Sequence, residues 1–360
     1  MSKPRLIAFY LPQFHTIKEN DEWWGPGFTE WTNVAKAKPL FKGHDQPKIP
    51  RDLGFYDLRV PEVREKQAEL AQRAGIEGFC YWHYWFGNGK RLLNRPFDEV
   101  VKSGKPDFPF CLGWANHSWY KKTWAQENND KLLIEQVYPG LNDYTNHFNT
   151  MLSAFKDKRY MKKNGKLIFL IWDANGIPNI QEFFRTWNKL ASEQGMNGFY
   201  FIGFTRDIST IDKLKGLGYD EVCVDLLHEC YSLVSFKNEL RWKLGNHKLL
   251  SPIPRIFTFD NYSELCQRFF SSCADYVIPC IMPNWDHSPR SLNRGEVMIN
   301  CSPQKFCTLL RKIYNIQENK DKQEIIIFIK SWNEWGEGNY LEPDMKYETS
   351  YIDSMSNINF

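Results

Sequence analysis

Eight short apolar runs punctuate the chain, at residues 6–11, 78–82, 108–113, 167–171, 199–203, 221–226, 276–282 and 325–329, and each reads as a buried strand. Between them lie stretches with apolar residues at helical spacing. They cover 61–74, with Pro61 in the first turn and Gly75 as a stop, then 91–102, 142–155, 180–194, 208–217, 262–273 and 303–314. Residues 347–355 supply only a short closing helix, and 228–258 resist assignment. Nearly continuous apolar strands that alternate with helices predict a parallel sheet covered by helices. Eight repeats in 360 residues favour a closed (β/α)8 barrel over an open doubly wound sheet. With no longer-period repeat and no low-complexity tract, the expectation is one catalytic domain over 1–360.

The polar positions fall where such a barrel does its chemistry. Strand two runs into His83-Tyr84-Trp85, strand three into Trp114-Ala115-Asn116-His117 and strand four into Trp172-Asp173. Strand seven runs into Trp285-Asp286-His287, and strand eight into Lys330-Ser331-Trp332-Asn333-Glu334-Trp335-Gly336-Glu337. In a (β/α)8 barrel the carboxyl ends of the strands converge on one face, so these residues are expected to line one cleft. A long polar-aromatic loop after strand one, with Trp23-Trp24 and Thr29-Glu30-Trp31, reads as a further part of that face.

Composition sharpens the kind of ligand. The chain holds 14 Trp, 17 Tyr and 26 Phe, many beside polar residues, which suits flat amphipathic molecules such as sugars. Trp24, Trp31, Trp85, Trp119 and Trp285 are candidate stacking platforms. The 46 basic and 43 acidic residues leave a net charge of +3, too balanced for nucleic acid, and the basic stretch 156–163 reads as a solvated connection. Nine cysteines, none in a CxxC pair, fit a reducing compartment. No signal peptide is legible, and no apolar run approaches the ~18 residues of a membrane span. The expected location is cytoplasmic.

The chemistry centres on Glu334 and Glu337. Carboxylates are costly to bury, and two of them among tryptophans at a strand end suggest proton affinities set by environment. Three positions apart in a helical turn, their Cβ atoms would lie roughly 5–6 Å apart. Retaining glycosidases hold their two carboxyls about 5–5.5 Å apart, and inverting ones about 6.5–9.5 Å. The spacing favours retention. Asp173, Asp225, Asp286 and Glu342 are spare acids that could complete a pair. Arg290 could bind an anionic substituent, or more readily brace Asp286. His15, His83, His117 and His287 show no HxH or HExxH spacing, so neither a metal nor any other cofactor is expected.

Several motifs together resemble a known family. They are Ala8-Phe9-Tyr10-Leu11-Pro12-Gln13-Phe14-His15, Asn20-Asp21-Glu22-Trp23-Trp24-Gly25 and Gly27-Phe28-Thr29-Glu30-Trp31-Thr32-Asn33-Val34. Further on come residues 78–86, Trp114-Ala115-Asn116, Trp285-Asp286 with Pro289-Arg290, and Asn333-Glu334-Trp335-Gly336-Glu337-Gly338. The chain resembles the WbsX-like proteins of bacterial O-antigen and polysaccharide biosynthesis, which are similar to glycoside hydrolase family 99, the endo-α-mannosidases and relatives. The resemblance runs almost end to end and implies a (β/α)8 barrel. It also implies that Glu334 deprotonates the sugar 2-hydroxyl to form a 1,2-anhydro sugar. Glu337 would then protonate the leaving oxygen and later activate the incoming nucleophile. Two departures fall at strand ends: His117-Ser118-Trp119 where many relatives carry Glu-Asn-Trp, and His287 where many carry Asn.

Strand ends and shared motifs together nominate the substrate contacts. These are Tyr10, His15, Trp24, Trp31, Trp82, His83, Tyr84, Trp85, Trp114, Asn116, His117, Trp172, Asp173, Trp285, Asp286, Arg290, Asn333 and Trp335. The expected activity is cleavage or transfer of an α-linked, mannose-like glycosidic bond with retention, in assembly of a polysaccharide. The expected partner is an oligosaccharide or polysaccharide, with peripheral association with the assembly machinery compatible with it. Two alternatives stand. A sugar-nucleotide glycosyltransferase has against it the absence of a Gly-rich fingerprint, a P-loop and an Asp-x-Asp motif. The other is a non-catalytic glycan-binding barrel.

Overall fold

The computed structural model describes residues 3–121, 131–246, 253–320, 324–358 and 360. Eight parallel strands close on themselves: β1 (Arg5–Tyr10), β2 (Gly78–Trp85), β3 (Phe110–Trp114), β4 (Lys166–Ile171), β5 (Phe199–Thr205), β6 (Glu221–Asp225), β7 (Val277–Ile281) and β8 (Ile326–Ile329). Each pairs with the next in chain order. The circle closes where β1 pairs with both β2 and β8, Ile7 opposite Gly78 and Arg5 opposite Ile326. Helices pack around the barrel, among them Pro61–Arg73, Leu141–Phe155, Ile180–Glu193, Phe259–Ser272 and Pro303–Glu318. Every strand named from the apolar pattern is present. The chief change is β2, which continues three residues further, through Trp85.

The interior of the barrel is aromatic. Phe9 stacks on Trp82 with ring centroids 4.5 Å apart and on Phe328 at 5.1 Å. Trp172 stacks on Phe204 at 4.4 Å and meets Trp82 edge-on at 5.2 Å. These rings form the floor beneath the loops at the carboxyl end. Gly113, opposite Trp82 in the β2–β3 register, makes room for that floor: a Cβ there would come within 2.9 Å of the indole. All nine cysteines are free thiols, most of them buried. They act as small apolar residues in the core.

Two segments differ from the sequence reading. The loop after β1 contains two short helices, Lys18–Trp24 and Glu30–Lys36. Each has seven residues, too few for a period to register. The second is started by Thr29, whose backbone N–H donates to Thr32 Oγ1 at 3.3 Å. Within 228–258, the described residues form a 3-10 turn (Glu229–Leu233), a helix (Phe236–Asn246) and a strand (Arg255–Thr258); residues 247–252 lie outside the described set. That strand pairs with Glu296–Ile299 beyond β7, so two loop excursions at the carboxyl end are tied together. Among the described residues no helix is long and apolar enough to cross a membrane.

Candidate active site

The segment after β8 folds back on itself and turns both glutamates toward the mouth of the barrel. Asn333 makes this possible: its Oδ1 accepts the Leu11 N–H at 2.7 Å and its Nδ2 donates to the Leu11 carbonyl at 3.0 Å. Ser331 Oγ donates to the Asn339 carbonyl and accepts the Glu334 N–H. Residues Asn333–Glu334 then pair antiparallel with Asn339–Tyr340 around a 3-10 turn, Trp335–Glu337. Gly338 ends the turn at φ +53°, and the Glu337 carbonyl accepts the Asp286 N–H at 2.7 Å. Trp335 lies under the turn, stacked on Tyr340 at 3.8 Å, with Nε1 donating to Glu342 at 2.6 Å.

The two carboxyls border a cavity of about 550 Å³ at the carboxyl end of the strands. Trp82 Nε1 donates to Glu334 Oε1 at 2.9 Å. Arg290 Nη1 donates to Glu337 Oε1 at 2.6 Å, and Lys330 Nζ lies 3.7 Å from Glu337 Oε2. Arg290 also bonds Glu30 Oε2 through Nε at 3.0 Å. Below, Asp225 pairs with Arg206 at 3.0 Å and with Lys330 at 3.3 Å. Acids and bases therefore alternate around the cavity: Glu30, Glu337 and Asp225 each pair with a cation, whereas Glu334 accepts from the neutral Trp82 indole.

That asymmetry places the proton. Burial pushes the Glu334 carboxyl well above the usual carboxylate range, and the neighbouring charge of Glu337 pushes it the same way. Burial opposes ionisation of Glu337 too, but Lys330 and Arg290 outweigh it and hold that carboxyl well below the usual range. Of the two, Glu334 is therefore the stronger proton holder and Glu337 the more readily ionised. His287, on the cavity wall, is pushed down to about 4 by burial and is neutral; its Nδ1 lies 2.8 Å from Ser291 Oγ.

Twelve of the nominated residues do not reach the cavity, nine of them placed elsewhere. Along β2 the side chains alternate, so Trp82 and Tyr84 face in while His83 and Trp85 face out. His83 Nε2 lies 2.7 Å from His147 Nε2, and Trp85 donates to Asp143 at 2.9 Å. Tyr10 points away from the barrel axis and donates to Gln67 at 2.7 Å. Trp114 donates to the Trp85 carbonyl, and Trp31 to the Tyr56 carbonyl behind Trp335. His15 sits buried against the Pro12 carbonyl. Asn116 binds the Asp173 backbone on both sides, fixing the turn after β4, and the Asp173 carboxylate is on the outer surface. Trp285 lies one layer back, its ring 4.3 Å under Lys330 Nζ.

Three more work as braces. Asp286 is buried and accepts from His44 Nε2 at 2.8 Å and Gln46 Nε2 at 2.6 Å, so Arg290 pairs with Glu30 and Glu337 rather than with Asp286. Asn333 and Trp335 shape the turn from below. Of the other spare acids, Glu342 is enclosed by Tyr56, Gln67 and Trp335, and Asp225 by its two cations. Trp24, Trp82, Tyr84, His117, Trp172, Arg290, Glu334 and Glu337 do line the cavity, as does the stacking candidate Trp119. So do Glu30, His287 and Lys330, which lay in segments expected on this face but were not singled out as substrate contacts, and Arg206, which was not expected there. Their signal was position: Arg206 and Lys330 each follow directly on a barrel strand, and Glu30 is an acid between aromatic residues.

Fold and site together define a (β/α)8 barrel with a carboxyl pair set in an aromatic mouth. The chain matches the family model described as "Glycosyltransferase WbsX" over residues 6–355 and belongs to that family. Two proteins of Xanthomonas campestris pv. campestris, both described as "Uncharacterized protein WxcX", are 32% identical over 356 and 358 residues. These matches cover 97% of this chain and 48% of each relative, so the chain spans about half the length of the curated relatives it matches. Among solved structures it is similar to a "Glycoside hydrolase-like protein", with a TM-score of 0.62, 14% identity, and coverage of 99% of this chain and 93% of that one. It is also similar to the GH99 endo-alpha-mannosidase from Bacteroides thetaiotaomicron, with a TM-score of 0.50, 15% identity, and coverage of 99% and 96%. At these identities the structural likeness is one of fold.

Proposed function

We propose that the protein is a carbohydrate-active enzyme of polysaccharide biosynthesis that cleaves or transfers an α-linked, mannose-like glycosidic bond with retention. The observation that carries this reading is the Glu334–Glu337 pair at the mouth of an aromatic barrel, one carboxyl against the Trp82 indole and the other against Arg290 and Lys330. Trp24, Tyr84 and Trp172 give the cavity ring faces on which a sugar can stack. The family assignment and the fold shared with an endo-α-mannosidase support the same substrate class. A cytoplasmic enzyme acting on a biosynthetic intermediate fits the free cysteines.

In the proposed reaction Glu334 accepts the 2-hydroxyl proton while O2 attacks the anomeric carbon, and Glu337 protonates the departing oxygen. The 1,2-anhydro sugar is then opened by water or an acceptor hydroxyl. Glu337 takes the proton of that nucleophile, and O2 recovers its own from Glu334. In the free site Glu334 holds a proton more tightly than Glu337, so this division of labour requires the proton to move to Glu337 as the substrate enters. Arg290 makes the transfer less costly, because Glu30 remains as a counter-charge when Glu337 becomes neutral.

The family description favours a second reading, a sugar-nucleotide glycosyltransferase, and three cations do line the cavity. Each is already matched by a carboxylate, Arg290 by Glu30 and Glu337, and Arg206 and Lys330 by Asp225. That pairing leaves little charge for a diphosphate. Calorimetric titration with sugar nucleotides and with α-mannoside oligosaccharides, followed by NMR of the first-formed product, separates the two. The proposal expects oligosaccharide binding and an α-configured product. Tight nucleotide binding that is indifferent to Glu337→Gln, or a β-configured product, would overturn it.

A further inference from the structure

The helix Phe236–Asn246 is built the wrong way round for a surface helix. Its two non-basic polar residues near the start face the protein: Asn238 bonds the Pro254 carbonyl and the Ile256 N–H, and Glu239 bonds Arg255 at 2.8 and 3.1 Å. Trp242 is on this inner side too, with the Arg255 guanidinium 3.6 Å above its ring. The apolar residues Phe236, Leu240 and Leu244, four apart, share the opposite stripe. Phe236 is 83% exposed and Leu240 46%. Lys243 flanks the stripe on one side, and Lys237 and Arg241 on the other, all exposed. Glu239 is the helix's sole acid, and it is turned inward to Arg255, with Lys243 3.7 Å away.

Scattered exposed apolar residues are ordinary on a protein surface. An outward apolar stripe edged by cations is the pattern of a helix lying in a bilayer interface, where the stripe enters the acyl boundary and the cations meet anionic headgroups. The helix packs on the 3-10 turn Leu292–Arg294, whose Leu292 is also exposed. It belongs to the excursion between β6 and β7, so it stands at the same end of the barrel as the cavity. We infer that this helix docks the protein onto an anionic lipid surface, holding the cavity mouth near that surface. The inference goes beyond the proposed activity and does not depend on it.

The test is co-sedimentation of the full chain with vesicles of phosphatidylglycerol and phosphatidylcholine, against phosphatidylcholine alone, at low and high salt. Two double variants, Phe236→Ser with Leu240→Ser and Lys237→Glu with Arg241→Glu, are checked for folding by circular dichroism. The account expects binding to the anionic vesicles that weakens with salt. Each cation near such a surface contributes about fivefold, so the charge variant should bind at least about 25-fold more weakly. The apolar variant should lose binding comparably, while turnover of a soluble glycoside is unchanged in both. Wild type that ignores anionic vesicles, or variants that bind as wild type does, would overturn the inference. So would a dimer in sedimentation equilibrium that the apolar variant abolishes, since the stripe would then belong to a second copy of the chain. Vesicle binding is read without turnover, so its failure is distinct from failure of the proposed chemistry.

Discussion

Two buried glutamates three positions apart differ in proton affinity because one faces cations and the other an indole. Glu337 lies against Arg290 and Lys330, whereas Glu334 receives the Trp82 N–H. The pair keeps a single proton from acidic pH until the pH passes the raised affinity of Glu334. A reaction that needs that proton should therefore show an alkaline limb in kcat/KM above the ordinary carboxylate range, and little acid limb. Arg290→Gln removes a charge that keeps Glu337 ionised. Its acid limb should rise by about 1–3 pH units, a shift that a pH–rate profile reads directly. The glutamates themselves were legible in the sequence because their spacing and their tryptophan neighbours are local. Arg290 and Glu30 come from distant loops, and although Lys330 lies in the same segment, no local pattern says which acid each cation will meet. Arg290 was accordingly expected to brace Asp286, but Asp286 is satisfied by His44, Gln46 and the Ser288 N–H.

At the scale of elements, the strands were legible and their facing was not. Apolar runs announce a buried strand, but one buried on both faces carries no alternation to say which side chains point inward. His83 and Trp85 were therefore nominated with Trp82 and Tyr84, though neighbours along a strand cannot share a face. Trp85→Phe should lower the melting temperature through the lost Asp143 bond and leave KM unchanged, whereas Tyr84→Ala should raise KM as well as lower the melting temperature, because its ring is packed against Phe86 and Trp119 on the cavity side. The turn after β8 offers a sharper case. A Cβ at position 336 would overlap Glu30 Oε2 and sit 3.0 Å from Arg290 Nε. Gly336→Ala should cost about 1–3 kcal/mol in denaturant unfolding and depress kcat, because it displaces the ion pair that positions Glu337. Asn333→Ala strands the Leu11 N–H and carbonyl and should cost a similar 1–3 kcal/mol. The two short helices after β1 escaped the sequence reading for want of length, yet one of them delivers Glu30.

For the molecule as a whole, closure of eight strands brings residues from both ends of the chain to one mouth: Glu30 follows β1, and Glu337 follows β8. If 1–360 is one domain, far-UV circular dichroism and tryptophan fluorescence should report the same unfolding midpoint, and separated midpoints would divide it. The central claim is that this mouth breaks a glycosidic bond with Glu334 and Glu337. It is tested most directly by single-turnover kinetics on an α-mannoside oligosaccharide, with wild type and the Glu334→Gln and Glu337→Gln variants at matched occupancy. The account predicts turnover by wild type, with both variants binding the oligosaccharide as tightly but forming product at least ~100-fold more slowly. Product formation at the wild-type rate by either variant would contradict it, as would an oligosaccharide bound tightly by wild type and never turned over.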